Sequence, residues 1–96
     1  MLNGKHALVT GGGTGIGLAI AQALAAQGAL VTITGRRLDA LEDAAKATPG
    51  LIPAVMDVTN EAEVISVIAQ AVKARGPLQV VVANAGIAEG RKLHKT

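Results

Sequence analysis

Five glycines crowd into seven residues of this 96-residue chain, at Gly11, Gly12, Gly13, Gly15 and Gly17. Each one costs roughly 0.5–1 kcal/mol relative to alanine in lost backbone entropy, so the cluster implies a local need that only glycine meets. The segment Thr10-Gly11-Gly12-Gly13-Thr14-Gly15-Ile16-Gly17 separates a short apolar run, residues 6–10, from a stretch with helical periodicity. The chemistry on offer there is anion binding. A helix N-terminus presents unpaired N–H groups and a partial positive charge, and glycine lets a pyrophosphate approach the backbone. Gly11 is expected to make the sharp turn, Gly15 to permit the close approach, and Gly17 to let the helix pack on the strand. Gly13, Thr14 and Ile16 complete the turn. The spacing is not G-x-G-x-x-G, and the lysine of a P-loop is absent.

A second constellation lies about 20 residues further on, at the end of the next strand, where a carboxylate would hold the ribose hydroxyls of NAD. That place reads Gly35-Arg36-Arg37. Glycine removes the carboxylate, and two guanidinium forks suit a 2′-phosphate instead. Two cations at a helix start oppose the helix dipole, which argues against a purely structural role. NADP(H) is therefore expected in preference to NAD(H).

The frame for these residues follows from punctuation by glycine and proline. Residues 6–10, 29–34, 51–56 and 78–83 read as strands, three of them near-continuous apolar runs such as parallel strands show when covered on both faces. Between them lie helices. Ile16, Ile20, Ala23 and Leu24 form one stripe ending at Gly28, and Leu38, Leu41, Ala44 and Ala45 a second ending at Pro49-Gly50. The third is the best defined. Asn60 and Glu63 have the spacing of a capping box, Val64, Val67, Ile68, Ala71 and Val72 recur at helical intervals, and Arg75-Gly76-Pro77 stops it. The order β-α-β-α-β-α-β with right-handed crossovers gives a parallel α/β sheet. Strand orders 3-2-1-4 and 2-1-3-4 both satisfy it. Pro53 in the third strand favours the order that leaves that strand at an edge, a Rossmann-type doubly wound sheet ordered 3-2-1-4.

The loop also matches T-G-x-x-x-G-x-G, and here the chain resembles the short-chain dehydrogenase/reductase family. The lead-in Leu2-Asn3-Gly4-Lys5 looks like that family's usual start. Asp57-Val58, after the third strand, is similar to its adenine-contacting pair. Ala83-Asn84-Ala85-Gly86, after the fourth, resembles its N-A-G motif, with Ala83 where a second asparagine is frequent. The resemblance covers residues 2–87 and implies a dinucleotide-binding half-domain over 1–87, with a basic polar tail over 88–96. A basic residue following the vacated acidic position goes with NADP(H) in that family, although Thr14, the other marker position, is neutral. Two roles stay open for Asp57, cofactor contact or part of the cap of the third helix. Asn84 has two as well: its side chain could tie the sheet end together while the backbone of Asn84, Ala85 and Gly86 faces the nucleotide.

The family's catalytic tyrosine, the lysine four residues on and the serine do not carry over. The chain has no tyrosine, and its one serine, Ser66, falls on the third helix. The expectation is the cofactor half of a hydride-transferring oxidoreductase, a truncated doubly wound domain inactive on its own. A non-enzymatic dinucleotide-binding module is the alternative. A methyltransferase also opens on a glycine-rich turn, but the arginine pair and N-A-G motif set it apart. Without cysteine, disulfides and Cys-based metal sites are excluded, and His6 and His94 are too far apart in sequence to suggest a metal cluster. His6 reads as an edge-of-sheet residue. A net charge of +2 with no aromatic residue argues against nucleic acid. No apolar run is long enough for a membrane, and no leader is evident, so a cytoplasmic protein is expected. Val80, Val81 and Val82 would form an open apolar strand edge, which predicts a homo-oligomer through the fourth strand.

Overall fold

The computed structural model describes residues 2–13 and 15–83. Seven elements follow in order: β1 (His6–Thr10), α1 (Gly15–Ala26), β2 (Leu30–Gly35), α2 (Leu38–Ala47), β3 (Leu51–Val55), α3 (Glu61–Arg75) and β4 (Leu78–Ala83). The strands form one parallel sheet in the order β3-β2-β1-β4. Pro53 sits on the edge strand as its chemistry requires. Val31 donates to the carbonyl of Gly50 and Met56 donates to that of Gly35. By the two-residue period of a strand, the even-numbered residues of β3 therefore turn toward β2, and the proline nitrogen faces away.

The sheet has two differently built faces. Ala7, Val9, Val31, Ile33 and Leu51 point to one side and pack with Ala21 of α1 and with Leu41 and Ala44 of α2. The α1 stripe differs from the one its large aliphatic residues suggest. Gly17 and Ala21 are buried, whereas Ile16 is 67% exposed and Ala23 is also exposed. The helix turns its smallest residues to the sheet, which lets the two backbones approach. Leu18, Ile20, Leu24 and Ala25 flank that contact. At its end, Gly28 donates to Ala25 O and Ala29 donates to Leu24 O, the paired bonds of a Schellman motif. The second helix begins at Leu38 rather than Arg36, so both arginines precede it.

The opposite face carries α3. Asn60 caps that helix by accepting from the Glu63 N–H at 3.1 Å. The return arm of the box is redirected, because the Glu63 carboxylate accepts from the Asp57 N–H at 2.9 Å. Ala71 is buried, with Val64, Val67, Ile68 and Val72 half-buried, as the periodicity predicts.

His6 corrects the sequence reading. It lies on a central strand, only 1% exposed, and not at a sheet edge. Its Nδ1 lies 2.8 Å from the carbonyl of Gly76, and its Nε2 lies 2.8 Å from Thr32 Oγ1. Arg75 Nε donates to the same hydroxyl oxygen at 3.0 Å. A carbonyl can only accept, so Nδ1 carries a proton; in the neutral imidazole Nε2 then accepts from the Thr32 hydroxyl. The chain of donors runs from Arg75 through Thr32 and His6 to Gly76, and it ties β1, β2 and the end of α3 together.

β4 has one strand neighbour among the described residues, and its exposure alternates. Val80 and Val82 pack against the core, whereas Gln79, Val81 and Ala83 are exposed. At the other end of β1, the glycine turn is pressed onto β2. A Cβ on Gly12 would lie 2.7 Å from Ile33 Cγ2 and 2.8 Å from Ile33 Cβ, closer than side chains approach one another.

Two stability measurements test this packing. Replacing His6 by leucine removes the acceptor facing the buried Thr32 hydroxyl and the donor to the half-buried Gly76 carbonyl, and should cost about 2–4 kcal/mol. Urea unfolding followed by far-ultraviolet circular dichroism reads it, and a loss below about 1 kcal/mol would leave the network without net stabilising value. Gly12→Ala should cost about 1–3 kcal/mol through overpacking. Gly35→Ala is the control, since its Cβ would rest in ordinary contact at 3.5 Å from Leu41; it should change stability by less than about 0.5 kcal/mol.

Candidate functional site

The carboxyl ends of all four strands point the same way, and chain order reverses between β1 and β4. In open parallel sheets ligands bind outside the strand ends at such a reversal. The glycine turn leaves β1 there. Gly11 (φ 66°) and Gly15 (φ 60°) both occupy the left-handed region that favours glycine. The first turns the chain sharply off the strand. The second opens α1, and a Cβ built on it meets nothing within 4 Å. Glycine at position 15 is thus a demand of the backbone, and it also leaves the helix N-terminus without a side chain over it. Gly13 fits against Leu41, where a Cβ would lie 3.2 Å from Cδ2. Gly17 is one of the two buried residues of α1. Ile16 projects outward at the same helix start.

The turn forms one wall of a cleft of about 410 Å³. Gly11 and Gly13 of the turn line it together with Gly35, Arg36 and Arg37 and with Ala40 and Leu41 of α2. The structure therefore brings together the two constellations that sequence spacing singled out. Gly35 is half-buried, has no positive φ, and would accommodate a Cβ, so the fold itself does not demand glycine there. What the missing side chain provides is room in the cleft.

The two arginines are not equivalent. Arg37 is the N-cap of α2 by position, with extended backbone, but its side chain makes no capping bond. Its guanidinium instead pairs with Asp39 at 3.1 Å, and both side chains are well exposed. The hydrogen bond and charge of Asp39 raise the Arg37 pKa, and Arg37 holds the Asp39 carboxyl below its ordinary value. Arg36 makes no hydrogen bond or ion pair among the described residues. It is exposed, and its charge reaches Asp57 at the end of the neighbouring strand.

Asp57 is engaged in a local turn. One carboxylate oxygen accepts from the Thr59 N–H at 2.9 Å and from the Thr59 hydroxyl at 2.6 Å. Those two bonds, with a smaller contribution from Arg36, hold its carboxyl below the usual carboxylate range. The helix cap belongs to Asn60, so Asp57 positions the lead-in to α3 and does not cap it. Val58 beside it is 45% exposed. Thr14, Asn84, Ala85 and Gly86, four further residues expected at the site, lie outside the described residues. Ala83, the residue before them, is in register with Thr10 at the root of the glycine turn.

Sequence reasoning missed Gly12 and Asp39. Gly12 has no role in the fingerprint, and its requirement comes from Ile33, 21 positions away in sequence. Asp39 is legible only as a first-turn acid until its side chain is seen to reach back to Arg37.

Comparison with known proteins agrees with this geometry. A family model described as short chain dehydrogenase matches residues 5–96. The chain is 46% identical to the short-chain dehydrogenase/reductase VdtF of Byssochlamys spectabilis, over 90% of this chain and 29% of that protein. It is 45% identical to an NADP-dependent (R)-specific alcohol dehydrogenase of Lentilactobacillus kefiri, over 99% of this chain and 39% of the relative. Among solved structures, a 3-ketoacyl-(acyl-carrier-protein) reductase from Brucella melitensis, complexed with NADH, superposes with a TM-score of 0.79. It is 30% identical, and the match covers 84% of this chain and 34% of that one. The chain thus spans about a third of the length of the relatives it matches. With its glycine turn, strand order and matching sequence model taken together, the chain belongs to the short-chain dehydrogenase/reductase family.

Proposed function

We propose that this chain is the cofactor-binding part of a short-chain oxidoreductase and that it takes NADP(H) in preference to NAD(H). The observation that carries the preference is that side-chain-free Gly35 lines the same cleft as the glycine turn, with Arg36 and Arg37 beside it. The fold does not require glycine at that position. A carboxylate there would hold ribose hydroxyls, and its replacement by glycine and two cations favours a 2′-phosphate. The Lentilactobacillus relative, named for NADP dependence, supports the same choice.

The fit of a dinucleotide to these residues is direct. Gly11, Gly13 and Gly15, with Thr14, Ile16 and Gly17, present backbone N–H groups and the positive end of the α1 dipole to a pyrophosphate. Ile16, exposed at the same helix start, offers an apolar surface to the cofactor. Arg36 and Arg37 neutralise the 2′-phosphate. Asp57 and Val58 would contact the adenine, and Asn84, Ala85 and Gly86, which lie outside the described residues, would contact the nucleotide. When bound, the nicotinamide supplies or accepts hydride. These residues bind and orient it, within a dinucleotide-binding unit spanning 1–87 that precedes a basic tail. Proton transfer to a carbonyl or alcohol substrate is not assigned to them, because the chain contains no tyrosine.

Among the described residues β4 has no second strand neighbour and Val81 is 60% exposed, and such an edge suits pairing with a strand of a second copy.

Titration of NADPH and NADH, followed by nicotinamide fluorescence, tests the cofactor reading. Arg36→Ala should weaken NADPH by about 1.5–3 kcal/mol, the scale of a charged hydrogen bond, and spare NADH. Equal losses for both cofactors would sink the 2′-phosphate assignment. Light scattering at tens of micromolar chain, a range chosen as roughly where standard-size interfaces populate, should show an oligomer; a clean monomer would refute the edge pairing.

A further inference from the structure

We propose that Asp39 sets how sharply this site discriminates a phosphorylated from an unphosphorylated adenosine ribose, by holding Arg37 in an ion pair that the 2′-phosphate must displace. The inference rests on the NADP(H) reading of the cleft.

Its basis is the inequality of the two arginines. Both line the cleft, yet Arg36 has no partner among the described residues, whereas Arg37 already faces a carboxylate at 3.1 Å. The pair is monodentate, and its side chains are 77% and 70% exposed. Ion pairs exposed to this degree are weak, so the exchange of carboxylate for phosphate is open to Arg37. It is not free, however. A phosphate bound to Arg37 would stand one guanidinium width from the Asp39 carboxylate. Like charges at such a separation, roughly 7 Å through water, lower affinity by about three- to tenfold.

The fold has its own use for Asp39. No side chain caps α2, and Asp39 is the acid in its first turn, where negative charge complements the helix dipole. The same carboxylate thus serves the helix and opposes the phosphate. NADH, lacking the 2′-phosphate, makes no demand on Arg37 and is indifferent to Asp39.

The test is a double-mutant cycle on the full chain: wild type, Asp39→Asn, Arg37→Ala and the double variant, each titrated with NADPH and NADH. Circular dichroism confirms that each is folded, and Asp39→Ser repeats the measurement with a smaller side chain. The expected result is NADPH affinity raised roughly three- to tenfold by Asp39→Asn, NADH changed less than about twofold, and the gain lost in the Arg37→Ala background. NADPH binding that is unchanged or weaker in Asp39→Asn overturns the inference, because Asp39 would then be inert or would align Arg37 for the phosphate. An equal change for both cofactors, or an undiminished gain without Arg37, overturns it as well. A wild-type NADPH preference that depends on Arg36 or Arg37 and ignores Asp39 refutes this inference alone. A folded chain that shows no preference, or binds neither cofactor, overturns the NADP(H) reading and this inference together.

Discussion

The nucleotide end of this molecule depends on one contact without a side chain, Gly12 against Ile33. The βα turn lies directly on β2 there, at distances that leave no room for a Cβ. The Gly12 N–H completes the attachment by donating to the Thr34 carbonyl at 3.0 Å. With the turn pinned at this point, Gly11 and Gly15 need their left-handed conformations to leave β1 and enter α1. Gly13 is set against Leu41, and so α2 is drawn to the same side of the cleft. The separation of the two cleft walls is thus a packing distance between backbone and aliphatic side chains, not a property of the charged residues at its rim.

The two ends of the sheet divide the work. At the amino end, His6, Thr32, Arg75 and Gly76 form a largely buried chain of hydrogen bonds. Buried polar groups of this kind are costly unless satisfied, and once satisfied they specify a single arrangement. At the carboxyl end the charged groups are exposed: Arg36 and the Arg37–Asp39 pair sit in solvent. The buried hydrogen-bond chain lies away from the site, and exposed charge lies at it. β1 joins the two, with His6 at one end and the glycine turn at the other.

Local stability and site chemistry share residues at the strand ends. Asp57 spends one carboxylate oxygen on the turn that leads into α3, and Glu63 reaches back to the Asp57 N–H. Asp39 serves the first turn of α2 and engages Arg37. Because helix N-termini and strand ends coincide in a parallel α/β sheet, acids that suit the helix dipoles are placed beside any anion held there. The arginines counter that placement.

The sequence by itself determined the element order, the parallel sheet and the edge position of β3, because alternating apolar strands and helices with glycine and proline stops admit few topologies. It also determined the sharp turn at Gly11 and the capping of α3 by Asn60 through the Glu63 N–H, since these involve residues close in the chain. Tertiary structure decided the rest. His6 looked like an edge residue because its partners, Thr32 and Gly76, are 26 and 70 positions away. The α1 stripe was misjudged because side-chain size cannot say how closely a helix approaches its sheet, and close approach puts Gly17 and Ala21 inward and leaves Ile16 outside. Gly12 was silent because its constraint is Ile33, brought over it only when β2 pairs with β1. Periodicity and local turn chemistry are written into neighbouring residues, whereas steric exclusion and buried hydrogen-bond partners exist only once distant segments touch.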